Sequence, residues 1–179
     1  MKLFTEIPAL DNILLSHAAA LAGDLDGYRN HTYRVANLCV ALSADGSRRL
    51  DAIAIAAAFH DMGIWTDRTF DYLEPSVRLA SAHLKGTDRE PWIPDITAMI
   101  LEHHKITPLD RHSPSLVEPF RRADWIDVSR GLVTFGLSRA FVAELFSVWP
   151  SAGFHWRLVQ LTFGRLRTHP LRPLPMMRL

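Results

Sequence analysis

The sequence predicts an all-α protein folded as a single domain. Three observations predict it. Apolar residues recur at three- and four-residue intervals along most of the chain. No stretch of useful length alternates in the manner of a strand. The periodic segments are punctuated by Gly, Pro and Asp-Gly clusters. A length of 179 residues matches the usual ~100–200 residues of one domain. With 48% hydrophobic and 22% charged residues, such a chain can bury about 70% of the surface it exposes on unfolding, without disulfides. No internal repeat, low-complexity tract or linker interrupts it.

Seven to eight helices are expected. Residues 5–21 carry Ile13, Leu14, Ala18 and Leu21 at helical spacing, and Gly23-Asp24 and Asp26-Gly27 close that segment with turn chemistry. A second helix over 28–43 has Val35, Leu38 and Leu42 on one face and stops at Asp45-Gly46-Ser47. Ser47 is a candidate N-cap for a third helix, with Leu50, Ile53, Ala54 and Ala57 on one side. Its run AIAIAAAF is apolar all round, which marks a central helix. Residues 61–75 read as a loop with one turn of helix. A fourth helix opens near Pro75-Ser76 and ends at Gly86, and a fifth covers about 92–104. A sixth covers about 115–129, and two more are expected at about 137–148 and 154–168. The tail HPLRPLPMMRL has three Pro and should be irregular.

Composition excludes several classes of function. Lys and Arg number 20 against 19 Asp and Glu, a net charge of +1. That gives no electrostatic footprint for dedicated nucleic-acid binding. No apolar run approaches the ~18–20 residues of a membrane span, and the N-terminus has no apolar core of a signal peptide. The single Cys39 cannot form an intramolecular disulfide and suits a reducing compartment, so a cytoplasmic location is expected.

Nine His are present, and five of them gather on core-facing rows. His31 precedes Val35, Leu38 and Leu42 by 4, 7 and 11. His60 and Asp61 end the third helix, Asp61 continuing the row of Leu50, Ala54 and Ala57. His83 is three after Ala80, and His103 and His104 are three and four after Ile100. Asp124 follows Phe120 by four and Val117 by seven. Burying so many polar groups is costly unless they are compensated, and a cation would compensate them. Imidazole and carboxylate suit Zn, Fe, Mn or Co. Periodicity does not choose between His103 and His104.

The ordered set His31, His60-Asp61, His83, His103-His104 and Asp124 resembles the HD-domain superfamily of metal-dependent phosphohydrolases, named for an adjacent His-Asp pair. The strings HTYRVANLCVALS, AIAAAFHDMG, ILEHHK and RRADWIDVSRG resemble that superfamily's successive motifs, across about residues 28–131. The resemblance implies a helical bundle of the HD-domain type with the C-terminal helices packed on the motif-bearing core. It implies that His31, His60, Asp61 and Asp124 bind a first ion. His83 and one or both of His103 and His104 would serve a second, with Asp61 bridging. The cofactor would be one or two divalent transition-metal ions: Fe, Mn, Zn, Co or Ni. The resemblance does not extend to the cyclic-dinucleotide phosphodiesterase branch, because Lys105-Ile106-Thr107-Pro108 stands where that branch has a Gly-Tyr-Pro string.

The expected activity is hydrolysis of a phosphate mono- or diester, phosphatase or phosphodiesterase, with a nucleotide as the expected substrate and His60 and Asp61 at its centre. Alternatives on the same scaffold are a diiron oxygenase and a metal- or nucleotide-binding module without turnover. Arg34 and Lys105 are candidate phosphate clamps, Arg78 and Arg122 weaker ones. Asp127, three after Asp124, is a candidate acceptor for a ligand His. Trp65, Phe70 and Tyr72 could cover the site, although core packing fits them as well. His17, His112, His155 and His169 receive no role. Trp149, Phe154 and Trp156 are expected to pack the last helices on the core, or to serve an interface with a second copy in a homodimer.

Overall fold

The computed structural model describes residues 3–110 and 112–177. It is all-α, with no strand among the described residues. Helix α1 (Pro8–Ser16) opens with Pro at its first turn, where a missing N–H costs nothing. His17 leaves helical geometry at φ −110°, so the first expected helix divides and α2 (Ala18–Leu21) follows.

Helix α3 (Leu25–Leu42) begins before the Asp26-Gly27 turn that the sequence suggests. Gly27 is inside the helix because the chain approaches it closely: a Cβ there would lie 2.8 Å from the Ala152 carbonyl oxygen. A 3₁₀ turn over Gly46–Arg49 precedes α4 (Leu50–Phe59). Ser47 lies within that turn, so it does not cap α4 as expected; Arg49 stands at the N-cap without a side-chain bond. Every residue from Ala52 to Phe59 is buried, which accounts for the apolar run.

Helices α5 (Gly63–Thr66) and α6 (Leu73–Leu84) follow, and Pro75 sits in the first turn of α6 rather than ahead of it. Then come α7 (Ile93–Glu102), α8 (Val117–Val128), α9 (Arg139–Val148) and α10 (Phe154–Thr168). The Ser138 hydroxyl caps α9 by accepting the Phe141 N–H at 3.2 Å.

Helix α3 packs along α8 and α4, and α4 also packs on α1, α6 and α7. The turn that ends α4 therefore opens into the middle of the bundle. Trp149 stacks on Tyr33 with ring centroids 4.0 Å apart, and Phe154 is buried. Trp156 does not pack on the core as expected. It is 65% exposed, because two residues turn a helix by about 200° and Phe154 takes the inward position. The irregular tail folds back far enough to bury Met176. Among the described residues no helix is long and apolar enough to cross a membrane. Cys39 is a buried free thiol, which burial pushes up to about 12.

Candidate metal centre

Four elements deliver side chains to one buried point. His31 comes from α3, His60 and Asp61 from the turn closing α4, His103 and His104 from the end of α7, and Asp124 from α8. Gly63 makes room for a fifth contribution. A Cβ at Gly63 would fall 2.6 Å from the Tyr72 carbonyl oxygen and 2.8 Å from Pro75 Cβ. With no side chain there, the start of α6 packs directly on the His-Asp turn, and the Gly63 N–H donates to Ser76 Oγ at 3.0 Å. Tyr72 thereby reaches His104, its hydroxyl 2.5 Å from Nε2.

The histidines are fixed by their outer nitrogens. His31 Nδ1 lies 2.6 Å from Asp127 Oδ2, His60 Nδ1 2.7 Å from the Ala57 carbonyl, and His103 Nδ1 2.7 Å from the Ile100 carbonyl. All three partners accept, so each Nδ1 is the donor and Nε2 is the nitrogen turned inward. These three Nε2 atoms face Asp61. His31 and His60 stand 3.7 and 3.5 Å from Oδ2, and His103 stands 3.4 Å from Oδ1. His31 and His60 also point Nε2 at Nε2 across 2.9 Å.

Asp124 completes the cluster. Its Oδ1 is 3.8 Å from Nε2 of both His31 and His60, and its Oδ2 is 3.5 Å from His104 Nδ1. Asp61 Oδ1, His103 Nε2 and Asp124 Oδ1 are buried with no hydrogen-bond partner among the described residues. Buried polar atoms are rarely left so. Two overlapping ligand sets of compatible spacing result: His31, His60 and Asp61, and Asp61, His103 and His104. Orphaned lone pairs and carboxylate oxygens on a common centre fit divalent transition-metal ions.

The charges agree with that fit. Burial pulls the His60 imidazole down, but the Asp61 and Asp124 carboxylates outweigh it and hold it at about 9. Burial and the neighbouring His103 bring His104 to about 3, a neutral ring at any ordinary pH. Burial alone would raise Asp61 and Asp124. The surrounding imidazoles instead hold both below the usual carboxylate range. Tyr72 is pushed well up by burial and by the Asp61 charge, so its hydroxyl stays protonated.

Behind His31 lies a second buried layer. The Asp127 carboxylate accepts from His31 and from the Arg34 guanidinium, through Nε and through Nη2 at 3.2 Å. Arg34 Nη1 donates to the Trp149 and Pro150 carbonyls at 2.8 and 3.1 Å, and the guanidinium lies over the Phe146 ring. Arg34 is wholly buried and its fork is committed on all sides. The phosphate-clamp reading of Arg34 therefore gives way to a supporting one. Phe154 stacks on His31 at 3.9 Å and 14°, and His155 Nε2 donates to the Asp127 carbonyl at 2.9 Å. Neither aromatic is marked for the site by the sequence. They sit about 120 residues beyond α3, and helical spacing within one segment carries no signal of such a contact.

Several candidates are not brought to the centre. His83 is exposed and lies against Phe59, 5.4 Å between centroids. The buried row of α6 runs Leu73, Ser76, Ala80 and Leu84, so a position three after Ala80 falls on the flank. The Lys105 ammonium is 4.0 Å from Glu102, and its carbonyl accepts from Arg121 and Trp125. Arg78 pairs with Asp67 and Arg122 with Glu118. Trp65 packs on Tyr28 at 4.6 Å and donates to Asp24, so it belongs to the core rather than to a cover. His17 meets the edge of Phe59, and His112 and His169 are exposed.

No curated protein and no solved structure matches the chain. The HD domain family matches residues 28–129, more than half of the chain, and that span contains every member of the buried cluster. The chain belongs to the HD domain family.

Proposed function

We propose that this protein is a metal-dependent phosphohydrolase that cleaves a small phosphate mono- or diester with a metal-activated water. The observation that carries the reading is the arrangement of His31, His60 and His103. Each has Nδ1 committed as a donor, and each turns Nε2 toward the Asp61 carboxylate. His31, His60, Asp61 and Asp124 would hold one ion, and Asp61, His103 and His104 a second. When bound, such ions supply a water of near-neutral pKa and a Lewis acid for the phosphoryl oxygens.

The chain's own groups position the rest. Asp61 belongs to both ligand sets and fixes the distance between them. Asp127 holds His31 in one tautomer and orientation, and Arg34 keeps Asp127 ionised. The Tyr72 hydroxyl lines the cavity beside Asp61 and His104. It would hand a proton to the departing ester oxygen. In the reaction the water oxygen bonds to phosphorus, the phosphorus–ester oxygen bond breaks, and the alcohol leaves with one proton.

The test is turnover of an activated phosphate ester by protein loaded with Mn²⁺ or Fe²⁺, beside a His60→Ala/Asp61→Ala variant. The reading expects turnover by the wild type and a loss of at least about 100-fold in the variant. Absence of turnover by metal-loaded wild type, across monoesters and diesters alike, would overturn it.

A further inference from the structure

Over the metal centre lies a cavity of about 280 Å³ whose floor is Asp61, His104 and Asp124. Its walls are Phe70, Tyr72, Trp125, Leu158, Leu174 and Met176, with smaller contributions from neighbouring residues. Among the described residues no Lys or Arg lines it. Arg34, Arg121, Arg157 and Arg165 are used elsewhere. Arg34 is sealed behind His31 by Asp127 and two carbonyls. Arg121 is held by Glu118 and the Lys105 carbonyl. Arg157 and Arg165 lie beyond Phe70, in a separate surface groove, and pair with Asp24 and Asp71.

These facts bear on what can enter. A second phosphate needs charge-assisted donors, which the described residues of this wall do not offer. A ribose needs polar partners for its hydroxyls, and beyond the floor the wall supplies the Tyr72 and Thr162 hydroxyls. The volume is just under the ~300–1,000 Å³ of pockets for drug-sized ligands, enough for one ring or a short chain. Burial of such a group against Phe70, Trp125 and Leu158 is favourable in proportion to its apolar area.

We propose that the substrate is a compact monophosphate ester of an apolar alcohol or phenol. Its single phosphoryl group would sit at the metal floor, and its apolar body between Phe70, Trp125 and the tail residues Leu174 and Met176. The proposal rests on the metal-centre reading above and names the substrate class for it. A nucleotide, expected from the sequence resemblance, does not match this wall. Leu158 and the C-terminal tail set the size of the accepted group.

The test separates binding from turnover. Metal-loaded full-length protein is titrated calorimetrically with phenylphosphonate, methylphosphonate and ADP, none of which is an ester of the proposed kind. Phenylphosphonate should bind at least 10-fold more tightly than methylphosphonate and than ADP. A Leu158→Arg variant, checked for an unchanged Tm, should reverse the preference by weakening phenylphosphonate and strengthening ADP. Equal or tighter binding of ADP by the wild type would overturn the proposal, and so would a Leu158→Arg variant that folds and keeps the wild-type preference. Turnover of phenyl phosphate is the second arm. Tight phenylphosphonate binding without turnover of phenyl phosphate or of any other monoester or diester would sink the hydrolase reading and leave the pocket assignment standing. Turnover of nucleotides in preference to phenyl phosphate would sink the pocket assignment alone.

Discussion

His31 and His60 oppose their Nε2 atoms across 2.9 Å, although each ring has given its proton-bearing Nδ1 to another acceptor. A shared proton can bridge the two nitrogens, in keeping with the His60 imidazole held at about 9, and a cation bound by both would take its place. Metal removal should therefore destabilise the fold. An ion held at 100 times its dissociation constant adds about 2.7 kcal/mol. For a chain of this size that is about 5–10 °C in Tm. Differential scanning calorimetry with and without a chelator should show the loss, and re-addition of the ion should restore it.

Arg34 and Asp127 should act on stability and on the metal together. Breaking a buried ion pair from one side costs about 3–5 kcal/mol, because the other charge is left unpaired. Arg34→Met is expected to lose that much by urea denaturation. Asp127→Asn should also release His31, lowering metal affinity by about 10–100-fold. Metal titration of a folded Asp127→Asn sample measures this directly.

His83 provides a contrast with His103. His83 is exposed against Phe59, so His83→Ala should keep the full metal content and change stability by no more than about 0.5 kcal/mol. His103→Ala removes one of the unpartnered buried nitrogens and should lower the metal bound per chain. Elemental analysis of the two purified variants, side by side, distinguishes these outcomes.

Glu118 should contribute an acid-sensitive increment of stability. Burial would raise its carboxyl, but hydrogen bonds from Arg121 and Arg122, with the Leu109 N–H, bring it from 4.5 to about 2. The folded value is depressed, so the contribution is full above about 4.5 and is lost as pH falls toward about 2. The Tm gap between wild type and Glu118→Gln should be largest near neutrality and close across that window.

Much of the fold is legible from local spacing. The apolar run Ala52–Phe59 marks α4 as central because only a helix buried on every side tolerates it. Boundaries failed where tertiary contacts overrode local chemistry. Gly27 reads as a turn, yet it serves the approach of Ala152, and Ser47 reads as a cap, yet a 3₁₀ turn stands between it and α4. At the site, the His-Asp turn and the paired His end helices whose rows point inward, so their convergence is readable. What surrounds them is not. Phe154 on His31 and His155 on Asp127 are contacts between α10 and the site, and no periodicity within a segment encodes them. Arg34 is hidden from the sequence for a related reason. Its position three after His31 says that it is near, but not that Asp127 and the Trp149 carbonyl reach it before any ligand can.

The central claim is that Asp61 is the carboxylate shared by two ligand sets. The most direct measurement is the metal content of purified wild type against Asp61→Ala, each shown to be folded by circular dichroism. The account predicts about two transition-metal ions per wild-type chain, as in other two-metal hydrolytic sites, and less than about one in the variant. Equal metal content in the two proteins, or none in the wild type after incubation with Mn²⁺, Fe²⁺ and Zn²⁺, would contradict it.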